Sequence, residues 1–425
     1  MSVLEKAKWF LPLGFGYKSG EFWASKPLSD NAKHTFTRGS VGYRRTDCGQ
    51  ILPVSANEPR IDYVDGKPRM AIDMEHRNYA LYSTVGSGWT IQPAVTRTAN
   101  VYPSPEGKLN ATQLSYDGNN SNQVYQYLTN DFTIGKIWCF SGWFKHISGG
   151  NNITFTIYQS GWNGVIITQS SESSISLTSS GSPILYGSQY YGDGWHRVWF
   201  TLAANSSTKE FNINREGLGS ASVWAVWGMQ AGTSTYNADG AALMSYIPTT
   251  SSVVTVQRDF HSYGYLVDPY TAAAGEDFSF YWHGTFGYPG ANAGSVTKRD
   301  SMLAGGGYYG NGSDYRSYIW MMDDGRLRIT GTSEALMADS ASGLLTADGR
   351  EYKIAITRSG GSKIRAFING SEVTMTPSLN SSIAFTFRSL GWAYSTYYHT
   401  RGAVYEAAIF DNSLTTAEMQ SLTTL

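Results

Sequence analysis

The amino-acid sequence predicts an all-β protein: two tandem antiparallel sandwiches with an extended N-terminal arm and one short C-terminal helix. Three observations carry this. Val, Ile, Thr, Tyr, Phe and Trp alternate with polar residues over roughly four to eight positions, bounded by Gly, Asn, Ser and Asp clusters, as in strands with one buried face. Charged residues make up 15% of the 425 positions, Gly fills 46 of them and aromatics reach 14%. An average soluble domain carries about 25% charge, so helix-rich surfaces are disfavoured and the ring area must pack. The third observation is an internal repeat.

In the repeat, Asp193-Gly194-Trp195-His196-Arg197-Val198-Trp199-Phe200-Thr201-Leu202, a polar turn and Lys209 to Asn214 match a second stretch. That stretch is Asp348-Gly349-Arg350-Glu351-Tyr352-Lys353-Ile354-Ala355-Ile356-Thr357, a turn over 358–362, and Lys363 to Gly370. Each reads as two strands joined by a turn. Upstream, Trp138 to Phe144 parallels Phe278 to Gly284; downstream, Val223 to Met229 parallels Val404 to Phe410. Two related sandwiches are the economical reading.

In chain order, residues 1–75 match neither copy. They mix Lys6, Lys8, Lys18, Lys26, Lys33, Arg38, Arg44 and Arg45 with Trp9, Phe10, Phe15, Trp23 and Phe36, without a clean period. This is the pattern of an arm docking on another protein, with Trp9, Phe10, Phe15, Trp23, Phe36, Arg44 and Arg45 as its contacts; an irregular first strand pair of a domain would look the same. Residues 76–258 form the first sandwich and 259–425 the second, with polar turn residues around Arg258-Asp259 between them. Asn152-Ile153-Thr154-Phe155-Thr156-Ile157-Tyr158 is a strand with one face inward, and Ser160-Gly161-Trp162-Asn163-Gly164 a hairpin tip. Thr415 and Glu418 stand at capping-box spacing before Met419 and Leu422, so the one helix starts there.

The same inventory excludes whole function classes. A net charge of −1 offers no field for a phosphate backbone, so nucleic acid is not expected as partner. No window approaches the ~20 apolar residues of a membrane span. The apolar run Trp9 to Gly16 is short, contains Pro12 and meets Lys18 rather than a cleavage site, so a cytoplasmic product without signal peptide is expected. Cys48 and Cys139 are too few for a disulfide scaffold and are expected as buried thiols. No Glu-x-Asp-x-Glu strand occurs, Asp323-Asp324-Gly325 reads as a turn, the seven His are scattered, and Gly305-Gly306-Gly307 lacks the Lys of a phosphate loop. An enzyme is not expected.

Val54 to Tyr63, Arg77-Asn78-Tyr79-Ala80-Leu81-Tyr82-Ser83 before Trp89, and Ser245-Tyr246-Ile247-Pro248-Thr249 before Arg258-Asp259 resemble a framework of bacteriophage and prophage virion proteins. Residues 54–260 then resemble a carbohydrate-binding-module-like jelly roll. Residues 261–425 resemble a laminin-G or concanavalin-A-like jelly roll, on Phe367-Ile368-Asn369-Gly370, Leu390-Gly391 and Tyr405 to Phe410 followed by Leu414 and Glu418. The resemblance implies a protein on the virion surface, held to tail or capsid proteins by the N-terminal arm and binding host-surface polysaccharide as a tail fibre or receptor-binding adhesin. A head fibre or decoration protein with a structural role is the alternative, and a polysaccharide depolymerase a minor one. It further implies a homo-oligomer, a trimer if a fibre.

Exposed rings on Gly-rich loops suit sugar faces. The glycan candidates are therefore Trp162, Tyr308, Tyr309, Tyr315, Trp392, Tyr394, Tyr397, Tyr398 and Arg401, though the same rings would equally serve subunit contacts. Lectin-like sandwiches also leave room for a structural calcium ion at Asp117, Asp193, Asp239, Asp314, Asp323 or Asp348, each of which also reads as a plain Asx-turn.

Overall fold

The computed structural model describes residues 3–12, 17–18, 21–22, 34–64, 66–73, 76–118, 122–128, 134–205, 210–215, 221–232, 243, 245–256, 260–263, 270–287, 302–306, 317–322, 324–346, 348–390, 392–393, 398–399 and 402–425. Among the described residues strands predominate, helix is confined to short segments, and every strand pairing is antiparallel. The protein is all-β, built as two sandwiches.

The first sandwich packs two six-stranded sheets. One contains, in spatial order, Thr90–Ile91, Asn122–Tyr127, Glu210–Arg215, Asn152–Tyr158, Trp162–Gln169 and Ile175–Ser180. The other runs Val95–Pro103, Leu109–Tyr116, Ser222–Gly232, Ile137–Gly149, His196–Ala203 and Leu185–Tyr190. Alternation sends Ile153, Phe155, Ile157, Phe211 and Ile213 inward from one sheet, and Leu114, Phe140, Phe200 and Val226 from the other, into one core where each is fully buried.

The second sandwich faces an eight-stranded sheet onto a ten-stranded one. Phe280, Trp282, Ile354 and Ile356 of the first sheet meet Leu303, Ile319, Leu327 and Ile329 of the second. The helix Thr416–Thr423 begins at the expected capping box: Glu418 N–H donates to Thr415 Oγ1 while Glu418 Oε2 accepts from Thr415 N–H. Met419 and Leu422 bury it against the outer face of the eight-stranded sheet, beside Tyr281, Phe367 and Phe410.

The repeat is present as a shared three-strand centre. Strand 137–149 lies between 196–203 and 222–232, as Phe278–Gly287 lies between Asp348–Ser359 and Gly402–Phe410. The copies diverge at the next strand. Lys363–Ile368 stays beside 348–359 as a hairpin, whereas 210–215 crosses to the opposite sheet.

The N-terminal segment departs from the expected arm. Trp9–Pro12 pairs with 402–410 in the register Trp9 to Ile409, and Lys67–Ile72 pairs with the other half of the same edge, Met70 to Val404. Arg60–Val64 then pairs with 67–72, and His34–Thr37 with Phe260–Tyr263. The physical reason is the unfilled edge of the last strand: Trp9 and Leu11 alternate with Phe10 and Pro12, which lets the segment complete a sheet and seat Trp9 in the core. Trp9 (1% exposed) and Phe36 (8%) are core residues of this chain, not contacts for another. Phe10 packs half-buried beside the helix, while Arg44 donates to the Ile61 carbonyl and Arg45 to the Tyr190 carbonyl. Phe15 and Trp23 lie outside the described residues.

Cys139 is buried, and burial pushes its thiol up to about 12. Cys48 is exposed rather than buried, because it sits in the tight turn between Gly42–Arg45 and Ile51–Val54, where Thr46 Oγ1 approaches its Sγ at 3.1 Å.

The first sandwich hangs from the second by a two-strand neck, His76–Asn78 against Val254–Val256. Asn78, with no exposed surface, satisfies four backbone groups there. Its Nδ2 donates to the carbonyls of Met229 (3.2 Å) and Ile247 (2.8 Å), and its Oδ1 accepts from Ala80 and Ala231 N–H at 3.0 Å each. Thr249 adds a second clasp, donating from Oγ1 to the Ala80 carbonyl and from its backbone N–H to Ser83 Oγ. Asn78, Ala80, Ser83, Ile247 and Thr249 belong to the framework read in the sequence at 77–83 and 245–249.

Asn78→Leu strands four buried polar groups at roughly 1–3 kcal/mol each before relaxation, so a destabilisation of about 4 kcal/mol is expected in urea unfolding; a change below about 1 kcal/mol contradicts the clasp. A pH effect is expected at the other end of the molecule. Lys6 and the Thr415 backbone hold the Glu418 carboxyl at about 2, down from 4.5. That contribution is complete above pH 4.5 and is lost as pH falls toward 2, so the Tm difference between wild type and Glu418→Gln should close over that interval.

Candidate functional site

The two outer faces of the first sandwich differ. One is covered: the hairpin 42–45/51–54 and Tyr246 pack Tyr43 and Ile51 over Trp143, Trp195 and Trp227. Tyr246 lies 4.4 Å from Trp227 and 5.4 Å from Trp143, ring centre to ring centre. The opposite face, on the sheet containing 152–158, carries a line of partly exposed rings.

Strand register builds that line. Tyr127 stands opposite Glu210, Glu210 opposite Tyr158, and Tyr158 opposite Trp162, so four neighbouring strands contribute one transverse row. Tyr158 and Trp162 meet edge to face at 5.0 Å, held by a turn in which Ser160 and Gly161 take positive φ. Tyr127, 61% exposed, meets Tyr125 edge-on at 5.6 Å and donates its hydroxyl to Glu210 Oε2 at 3.1 Å. That bond and the carboxylate's charge push the Tyr127 phenol above its ordinary 10.

The next row is polar: Tyr125, Asn212, Thr156 and Gly164. Asn212 (0% exposed) and Thr156 (2%) are buried although they stand on the outer face. Asn212 Nδ2 donates to the Glu210 carbonyl at 2.8 Å, while Asn212 Oδ1 and Thr156 Oγ1 make no hydrogen bond within the protein. Gly164 leaves the row without a side chain beside Thr156. The surface therefore offers ring faces and edges beside the Glu210 carboxylate, suited to a ligand with alternating apolar and hydroxyl surface.

Of the rings proposed from sequence, Trp162 stands on this face. Tyr308, Tyr309, Tyr315, Tyr394, Tyr397 and Arg401 lie outside the described residues. Trp392 and Tyr398 fall on the paired two-residue strands Trp392–Ala393 and Tyr398–His399. Tyr125, Tyr127, Tyr158, Glu210, Asn212 and Thr156 were missed. Their signal was the other half of the alternation at 152–158: once Ile153, Phe155 and Ile157 go inward, Thr154, Thr156 and Tyr158 must go out.

Other candidates have structural occupations. His196 is buried, 3.0 Å from the Glu172 carbonyl and against the ring of its cross-strand neighbour Tyr190. Asp193 pairs with Lys145 and Asp348 with Arg350. Asp324 pairs with Arg326 in the expected turn, while Asp239, Asp314 and Asp323 lie outside the described residues. Among the described residues no group of three or more His, Cys, Asp or Glu could hold a metal ion, and no helix is long and apolar enough to cross a membrane.

If Glu210 sets the Tyr127 ionisation, Glu210→Gln should bring the phenol back toward 10 in a spectrophotometric pH titration. An unchanged titration would detach Tyr127 from the row.

No protein-family model matches the chain, and no curated protein sequence matches it. Among solved structures, the chain is similar to the CBM40 module of Ruminococcus gnavus IT-sialidase bound to α2,3-sialyllactose, at 13% identity and TM-score 0.27 over 35% of this chain and 83% of that one. Trypanosoma rangeli sialidase with the inhibitor DANA gives 12% identity and TM-score 0.27 over 73% and 60% of the two chains. The tandem CBM22 domains of Paenibacillus barcinonensis Xyn10C give 10% and 0.26 over 82% and 99%. These neighbours are carbohydrate-binding modules and a sialidase, at similarities too low to transfer a function.

Proposed function

We propose that the protein binds polysaccharide through the open face of the first sandwich, with Tyr127, Tyr158 and Trp162 as ring contacts and Glu210 as the polar contact. The observation that carries the reading is the transverse row of partly exposed rings, Tyr127, Tyr158 and Trp162, with the Glu210 carboxylate among them. Display on a virion, the setting implied by the framework at 54–63, 77–83 and 245–249, is part of the same proposal. Repetition over a particle would raise the avidity of a shallow site with millimolar effective concentration. The reading is of binding rather than turnover. The row holds one carboxylate, already engaged by Tyr127, where glycoside hydrolysis ordinarily uses two.

A second reading, subunit contact, is favoured by one observation. The edge strand 185–190 exposes Leu185, Tyr186 and Tyr190, with Ile184 beside them, at 36–41%. Unpaired edges of this kind recruit other chains.

Affinity electrophoresis against a panel of bacterial surface polysaccharides tests the first reading. Retardation by at least one polysaccharide is expected, without loss of its chain length. Tyr158→Ala and Trp162→Ala should each weaken it roughly tenfold, about 1.4 kcal/mol, while leaving the Tm near wild type because both rings are partly exposed. Retention unchanged in both variants would move the site elsewhere.

A further inference from the structure

Each of the four large sheets ends in edge strands, and a free edge offers unpaired N–H and C=O groups to another chain. Among the described residues most of these edges carry an obstacle to such pairing. Strand 95–103 contains Arg97 and breaks register between Thr98 and Tyr102, and strand 60–64 contains Arg60 and Asp62. Ser371–Val373 has Glu372 paired with Arg365. Trp9–Pro12 and Met375–Pro377 end in proline, Tyr17–Lys18 ends in lysine, and Thr90–Ile91 is two residues long.

The exception is the rim where strands 175–180 and 185–190 end the two sheets of the first sandwich. No charged side chain occurs from 173 to 192. Strand 185–190 pairs with 196–203 without a shift, from Leu185 opposite Thr201 to Tyr190 opposite His196. Tyr191 N–H donates to the Trp195 carbonyl, which fixes the alternation. The odd-numbered residues turn their backbone groups to 196–203, while Tyr186, Ser188 and Tyr190 turn theirs to the free side. The Tyr190 carbonyl accepts from Arg45 Nη2 there and keeps a second lone pair. The side chains of Tyr186 and Ser188 stand on the same face as those of Phe200 and Val198, which point into the core, yet they and Tyr190 are exposed. This is inner-face surface left without a cover.

We propose that a second copy of this chain covers it: two copies pair antiparallel along 185–190 across a two-fold axis at Ser188, joining their six-stranded sheets into one. The inference rests on the subunit-contact reading above and names the partner. Across such an axis a charge at the centre would face itself, and this edge has none. Arg45 stands at the end of the strand, away from the axis. An axis perpendicular to the sheet keeps both inner faces on one side. It sets Tyr186 opposite the partner's Tyr190, twice, so the overhanging rings cover one another.

Sedimentation equilibrium of the full chain from about 1 to 200 µM should give a dimer of twice the 46.6 kDa chain mass. Ser188→Lys and Ser188→Glu, at an exposed position on a strand outside the ring row, should each weaken it roughly tenfold or more, through like charges across the axis. The loss should be larger at about 20 mM salt than at about 1 M. Mixing the two variants should restore a dimer, which a misfolded variant could not do. In a Cys48→Ser background, which removes the exposed thiol, Ser188→Cys should oxidise to a disulfide-linked dimer, because directly paired residues lie about 5.5 Å apart. A dimer indifferent to both charged variants, or one that their mixture does not restore, overturns the pairing while subunit contact stands. A chain that stays monomeric overturns both.

Discussion

The structure depends on how a sandwich is hung inside another without fraying at the neck. Two short strands, 76–78 and 254–256, carry the connection, and two strands of three residues contribute little on their own. The Asn78 carboxamide supplies what pairing cannot, tying its own chain at Ala80, the long strand at Met229 and Ala231, and the returning chain at Ile247. Only a side chain with a donor and an acceptor at one end can serve both peptide polarities. An aspartate would lose both donations and bury a charge.

From that clasp the division of surfaces follows. The returning chain continues through Tyr246, which stacks on Trp227 and, with the hairpin bearing Tyr43, closes one outer face of the first sandwich. Covering one face leaves the other open, where Tyr127 and Tyr158 remain exposed. The residues on it are the outward half of strands whose inward half is fixed by the core, so the row from Tyr127 to Trp162 is positioned by packing on the far side of the same strands.

Much of this architecture was legible in the sequence. The alternation at 152–158, the capping box at Thr415 and Glu418, and the repeat centred on 138–144 and 278–284 all correspond to observed elements. What could not be read was partnership across long separations. Trp9 and Leu11 alternate over four residues only, too short a run to betray a strand, and their partner lies at 406–409. The polar face of a strand carries no pattern of its own, so Asn212 and Thr156 looked like ordinary outward residues until the register set them beside Tyr125 and Tyr158. The Tyr-rich loops read at 305–318 and 392–401 fall mostly outside the described residues, whereas the rings gathered by register come singly from separate strands.

The pairing of 9–12 and 70–72 with 402–410 also bears on the order in which the protein forms during synthesis. Residues 79–253 make contacts largely among themselves, so their sandwich can close while the remainder is still being translated. The other core cannot: its earliest strands wait through hundreds of residues for the last one, and ring-bearing segments such as Trp9 and Leu11 stay without their sheet until strand 402–410 leaves the ribosome. Nesting the quickly completed unit within the slow one keeps the waiting ends tethered at the neck, where 78 and 254 are direct cross-strand partners, and so shortens the loop that the final closure must span.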